Sequence, residues 1–142
     1  MATCTFFGHR ECLETIKTKL RDTLIDLIEN YAVEMFYVGN QGHFDYYVRC
    51  MLRDLMQKYP HIQYAVVLAY MPGKQNEYDD YSDTMLPEGI ESVHPHYAIS
   101  WRNNWMLRQS EYVVTYITHS WGGAYQYAKK AKRQKKIVIN LV

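Results

Sequence analysis

Three short glycine-bearing stretches carry the side chains best suited to chemistry: "GHR" at 8–10, "GNQGHFD" at 39–45 and "THSWGG" at 118–123. In the last, Gly122 and Gly123 stand immediately ahead of a helical pattern, so unpaired backbone N–H groups and the positive end of a helix dipole face whatever lies before it. Thr118, His119 and Ser120 add two hydroxyls and an imidazole to the same turn. That combination suits a phosphate, although a strand–Gly–Gly–helix turn also serves simply to start a helix. In the first stretch, Gly8 allows a ligand to approach the backbone closely. Arg10 presents a planar fork of donors for phosphate or carboxylate, and His9 donates or accepts near neutral pH. The plainer reading of Arg10 is a surface pair with an acidic side chain. In the middle stretch, Asn40 and Gln41 suit a base or ribose edge, and Gly42 permits the sharp turn. Asp45 suits a ribose hydroxyl, a helix cap, or both. His43 reads as solvent-facing.

These turns need elements to hold them. The β-branched and aromatic run 3–7 stops at Gly8 and predicts a buried strand. From Leu13, apolar residues recur through Ile16, Leu20, Leu24, Leu27 and Ile28 at three- and four-residue spacing, the stripe of a helix lying on a sheet. A strand at 34–38 and a helix with the face Phe44, Val48, Met51, Leu52, Leu55 and Tyr59 follow, closed by Pro60. The apolar run 64–70 predicts a strand covered on both faces. Residues 71–100, rich in proline and acidic side chains, have no period and predict a long loop or lid, with the acidic stretch 77–83 as a solvated lid or subunit contact. A short helix at 101–110, a strand at 112–117, a helix at 123–134 and a strand at 137–142 complete the chain. Strands alternating with helices imply right-handed βαβ units. The expected fold is α/β: a Rossmann-like single domain over 1–142, with a mainly parallel five-stranded sheet and helices on both faces. Ligands on such sheets bind beyond the carboxyl ends of the strands where strand order reverses, which selects the three glycine turns.

Trp101 and Trp105 stand four apart on one helical face, as core residues do, while Arg102 and Asn103 turn elsewhere and are the better ligand candidates. Trp121, beside the glycines, is the preferred stacking surface for a base. The chain has 142 residues, enough to bury roughly two-thirds of its unfolded surface around one core. Its 16 basic and 15 acidic side chains leave a formal charge of +1, which gives no push toward nucleic acid or an anionic membrane. The basic run 129–136 reads as the exposed end of the last helix. Cys4, Cys12 and Cys50 show no metal-ligand spacing, and no apolar run is long enough to span a bilayer. A cytoplasmic protein with reduced thiols, no structural metal and no cofactor is expected.

The ordered set "FFGHR" (6–10), "VGNQGHFD" (38–45), "YDDYSDTMLPEGIE" (78–91), "RNNWML" (102–107) and "GGAYQYA" (122–128) resembles the SLOG superfamily, which groups the DNA-processing Smf/DprA proteins with the Lonely-guy phosphoribohydrolases. The likeness is strongest to its small stand-alone YpsA-like branch and covers nearly the whole chain. The resemblance implies a Rossmann-like fold with a nucleotide-type ligand at the glycine turns, as in members that sense ADP-ribose-like signals in bacterial immunity. Hydrolytic members carry a PGG-x-GT-x-x-E motif. With Gly122 and Gly123 on its paired glycines, Trp121 replaces the proline, Gln126 the threonine and Lys129 the final glutamate. The leading expectation is therefore a protein that binds a nucleotide-derived small molecule without cutting it, ADP-ribose-like or a cyclic nucleotide, as a sensor or a phage-type sponge. A glycosidic or phosphoester hydrolase using Asp45, His9 or His119 is the second reading. Single-stranded DNA binding is the third, and the charge balance argues against it. The family also suggests a homo-oligomer, dimer or tetramer.

Overall fold

The computed structural model describes residues 2–71 and 81–142. Strand β1 (Ala2–Gly8) leads through a 3-10 turn into α1 (Lys17–Asn30), and β2 (Val33–Val38) into α2 (Gly42–Lys58). Strand β3 (Gln63–Val67), the short β4 (Thr84–Met85) and α3 (Ala98–Gln109) follow, and β5 (Tyr112–Tyr116), α4 (Gly123–Arg133) and β6 (Ile137–Asn140) end the chain.

The six strands form one sheet in the order β4-β3-β2-β1-β5-β6, and every neighbouring pair is parallel. From β1 the chain builds outward through β2, β3 and β4, then returns to the other side of β1 to lay down β5. The strand order therefore reverses between β1 and β5, and the crossovers diverge there to leave a crevice above the carboxyl ends.

Side-chain alternation divides the core between the two faces of the sheet. Phe6 and Val114 point toward Leu20, Leu24, Val48 and Leu52 of α1 and α2. Their chain neighbours Phe7 and Val113 point the other way, against Met106, Leu107 and Ala131 of α3 and α4. The α1 stripe buries Leu20, Leu24, Leu27 and Ile28, and the α2 stripe buries Phe44, Val48, Leu52 and Leu55, as their spacing predicts.

The strand count differs from the expected five. The extra strand, β4, lies within 71–100 and pairs through Val66 with Thr84 and Val67 with Met85. Two residues carry no readable period, so only the tertiary pairing reveals it. The same region holds 3-10 turns at Ile90–Ser92 and Pro95–Tyr97, and α3 begins at Ala98, three residues before its expected start. Strand β3 ends at Val67 rather than 70, after which the Leu68 N–H donates to the Met85 carbonyl at 2.9 Å.

The acidic stretch 77–83 lies in part outside the described residues. Its last member, Asp83, is a tie between elements: it accepts hydrogen bonds from Arg49 Nε at 2.8 Å on α2 and from the Tyr64 hydroxyl at 2.7 Å on β3. Burial pushes its carboxyl pKa up, but the hydrogen bonds from Arg49 and Tyr64 outweigh burial and hold it below the ordinary value. No described helix is long and apolar enough to cross a membrane.

Gly8 is where the fold tolerates least addition. A Cβ built there would overlap the ring of Phe44, a side chain with no exposed surface. Gly8→Ala is expected to destabilise the protein by about 1–3 kcal/mol through overpacking, read as a lower urea midpoint at unchanged m-value.

Candidate functional site

A cleft of about 650 Å³ opens at the β1/β5 switch point. Its walls bring together residues from all three glycine turns: Gly8, His9 and Arg10; Gln41 and Asp45; Thr118, His119, Trp121, Gly122 and Gly123. Arg102 and Asn103 join them from α3. Of the other sequence candidates, Asn40, Gly42 and Ser120 stand outside the lining, and the first two act on residues within it.

The β1–α2 junction is tight. Gly42 has φ +87°, and a Cβ on it would strike the backbone of Arg10. The His43 N–H donates to the Arg10 carbonyl at 2.7 Å. These contacts press the start of α2 against the end of β1 and set the direction of both Arg10 and Gln41. Gly8 serves the same junction, since its missing side chain makes room for Phe44.

The amides expected to read a base or ribose first hold arginines. Arg10 Nη2 donates to Gln41 Oε1 at 2.7 Å. Among the described residues no carboxylate forms an ion pair with Arg10, so its charge is oriented at the cleft mouth and not neutralised. Arg102 is a buried brace. Its Nη1 donates to the Val67 carbonyl at 2.8 Å and to Asn40 Oδ1 at 3.2 Å, and its Nε to Asn103 Oδ1 at 2.8 Å. It thereby ties α3 to the ends of β2 and β3.

Asp45 takes the helix-start role and also lies in the cleft wall. Its Oδ2 accepts from the Gln41 N–H at 2.9 Å, satisfying a donor at the start of α2, and the carboxyl lines the cleft. Burial raises its pKa to about 6, against the lowering effects of that hydrogen bond and of the Arg102 charge. Gly39 is the spacer between the two groups: a Cβ there would lie 2.8 Å from Asp45 Oδ2 and 3.2 Å from Arg102 Nη1.

On the opposite wall, the His9 and His119 rings lie with centroids 3.6 Å apart, and Trp121 packs on His119 at 3.8 Å. Trp121 is itself 68% exposed, so a broad aromatic surface faces outward. Burial, then the neighbouring His119, lowers the His9 pKa below its ordinary value. At the head of α4, Gly122 adopts φ +95° and ψ 170°, a conformation that suits glycine. The first helical bond there is Gln126 N–H to the Gly122 carbonyl, so the N–H groups of Gly123, Ala124 and Tyr125 have no intrahelical acceptor. A Cβ on Gly122 or Gly123 would meet nothing within 4 Å. No acidic residue sits in this first turn, while Lys130, Lys132 and Arg133 occupy the last.

The walls also include Phe6, Phe7, Glu11, Gly39, Ile99, Met106 and Ala124, which sequence reasoning did not select. Ile99, Arg102 and Met106 recur at helical spacing on α3, a signal that was present but pointed equally to ordinary core. Trp105 is core, meeting the Tyr37 ring at 5.0 Å. Trp101 and Trp105 both stand outside the lining.

A parallel α/β sheet with a cleft at its switch point defines a Rossmann-like domain. Residues 2–141 match the YpsA family model, described as the YspA SLOG family, and the chain belongs to that family. A solved structure with the same fold is DNA processing protein A (DprA) from Streptococcus pneumoniae, at a TM-score of 0.69 and 12% sequence identity. The match covers 99% of this chain and 50% of that one, so this chain spans half the length of the DprA chain. No curated protein matches the sequence.

The raised Asp45 pKa has a stability consequence with a definite sign. A carboxyl whose folded pKa lies above its unfolded value contributes stability below the unfolded value, near 3.8, that is lost as pH rises through about 6. Asn at this position still offers an oxygen to the Gln41 N–H and does not titrate. Urea denaturation from pH 4 to pH 7 is therefore expected to show Asp45→Asn gaining on the wild type as pH rises, by up to about 3 kcal/mol, with a plateau above the Asp45 pKa.

Proposed function

We propose that this chain binds a nucleotide-derived small molecule of the ADP-ribose or cyclic-nucleotide kind without turning it over, as a sensor of that molecule or as a sponge that sequesters it. The observation that carries this reading is the open backbone at Gly122 and Gly123, in the same cleft as an Arg10 charge held by an amide. Phosphate on the free N–H groups of α4 and on Arg10, ribose near Asp45 and base on Trp121 use each wall for the chemistry it suits. The cleft volume falls within the usual range for small-molecule sites, roughly 300–1,000 Å³.

Hydrolysis is the second reading. It is favoured by one observation, a buried carboxyl with its pKa raised to about 6 in the same cleft as His9 and His119. Against it, the position matching the glutamate of hydrolytic relatives is Lys129, whose ammonium lies over the Tyr125 ring at 5.8 Å and which is absent from the cleft wall. Asp45 is moreover already engaged with the start of α2.

Calorimetry against a panel of nucleotides, including ADP-ribose and cyclic nucleotides, is expected to find at least one ligand, and heat release after incubation is expected to return it intact by mass spectrometry. A chemically altered ligand selects hydrolysis, and an empty panel removes both readings. Arg10→Ala is expected to weaken binding by about 10- to 100-fold, the usual worth of a charge-assisted hydrogen bond. Gly123→Ala adds a methyl to open space at the phosphate position, so it is expected to weaken binding while leaving the melting temperature unchanged or slightly higher.

A further inference from the structure

Two side-chain nitrogens among the described residues are buried without a hydrogen-bond partner: Nε2 of His9 and Nδ1 of His119. Both rings line the cleft, and they face each other with centroids 3.6 Å apart at an angle of 65°. A buried ring nitrogen with no partner is unfavourable, and here two occur side by side. Each neutral imidazole has one N–H and one bare nitrogen. A proton on His9 is disfavoured by burial and by the neighbouring His119 ring, and two protons at this separation repel each other strongly. Without opposite charge nearby, a doubly protonated pair is therefore excluded.

An anion in the cleft changes that balance, because it supplies opposite charge beside the half-buried rings. The pair can then accept one proton, but two remain excluded by their closeness. We propose that His9 and His119 together form a proton-coupled anion receptor, which takes up a single proton as an anionic ligand enters the cleft. The inference rests on the ligand-binding reading above and adds what that reading lacks: binding is linked to pH.

The other charged and titratable groups around the pair are few. Arg10 and Glu11 follow His9 directly, and the Tyr116 ring meets His9 edge-on at 6.3 Å. Asp45 and Arg102 contribute to the cleft from α2 and α3. The first turn of α4 carries no acidic residue. Asp45 is the competing proton acceptor, since its carboxyl also titrates near neutrality.

The sign follows from linkage. Below the free-state pKa of the pair, affinity is flat. It falls as pH rises from there to the higher value set by the bound anion, by up to about tenfold per pH unit for one proton.

Two probes of fixed charge test this on the full chain: sulfate, and ADP-ribose, whose pyrophosphate is esterified at both ends. Proton NMR of the imidazole C–H signals is expected to show the titration midpoints of His9 and His119 moving to higher pH with either probe. Calorimetry with ADP-ribose in buffers of different ionisation enthalpy is expected to show uptake of up to one proton, lost in His9→Gln and in His119→Gln. The NMR titration uses only wild-type protein, so it decides the matter even where a variant fails to fold. Unmoved midpoints with both probes overturn the inference, as does uptake that survives His9→Gln and disappears in Asp45→Asn. If sulfate moves the midpoints while no nucleotide binds, the nucleotide reading fails and the anion receptor stands.

Discussion

The contact between the end of β1 and the start of α2 sets the geometry on which the cleft depends. Gly8 leaves space for the Phe44 ring, Gly42 lies against the Arg10 backbone, and the His43 N–H closes onto the Arg10 carbonyl. The absent side chains and one hydrogen bond bring two chain segments closer than any larger residues would allow. Arg10 consequently meets Gln41, and Asp45 is carried inward far enough to be buried beside Arg102. The glycines of the first two turns serve this packing. Those of the third have open space before them.

The two cleft arginines show how environment divides one chemistry into two duties. Arg102 has 2% of its surface exposed and spends its donors on Val67, Asn40 and Asn103, so it holds the ends of β2, β3 and α3 in register. Arg10 is exposed and held by a neutral amide, which orients its charge without cancelling it. The opposite wall has another character: two unpartnered imidazoles and a largely exposed indole, beside the positive end of a helix. Fixed charge, titratable charge and a flat apolar surface thus surround one space.

Periodicity made the large elements legible. The α1 and α2 stripes bury the side chains that their spacing selects, and the strand–helix alternation implies the parallel sheet. Strand β4 was not legible, because two residues in a proline-rich region gain their conformation from pairing with Val66 and Val67 rather than from any pattern of their own. The three glycine turns were legible as a group, since a parallel sheet directs its ligands to the carboxyl ends of its strands. The contributions of Ile99 and Met106 were not, because a helical apolar stripe looks the same whether it faces core or cleft.

Local sequence by itself determined the class of fold and the placing of the candidate residues at strand ends, both of which follow from residue order and short-range spacing. The tertiary structure alone decided which residues of that group face open space and which are occupied in holding others. Gly8 packs on Phe44, Arg102 braces two strands, Asp45 closes the start of α2, and His9 meets His119 from 110 positions away. Burial, and with it the protonation of Asp45 and His9, depends on what the rest of the chain packs around a group, and that packing is a property of the whole fold.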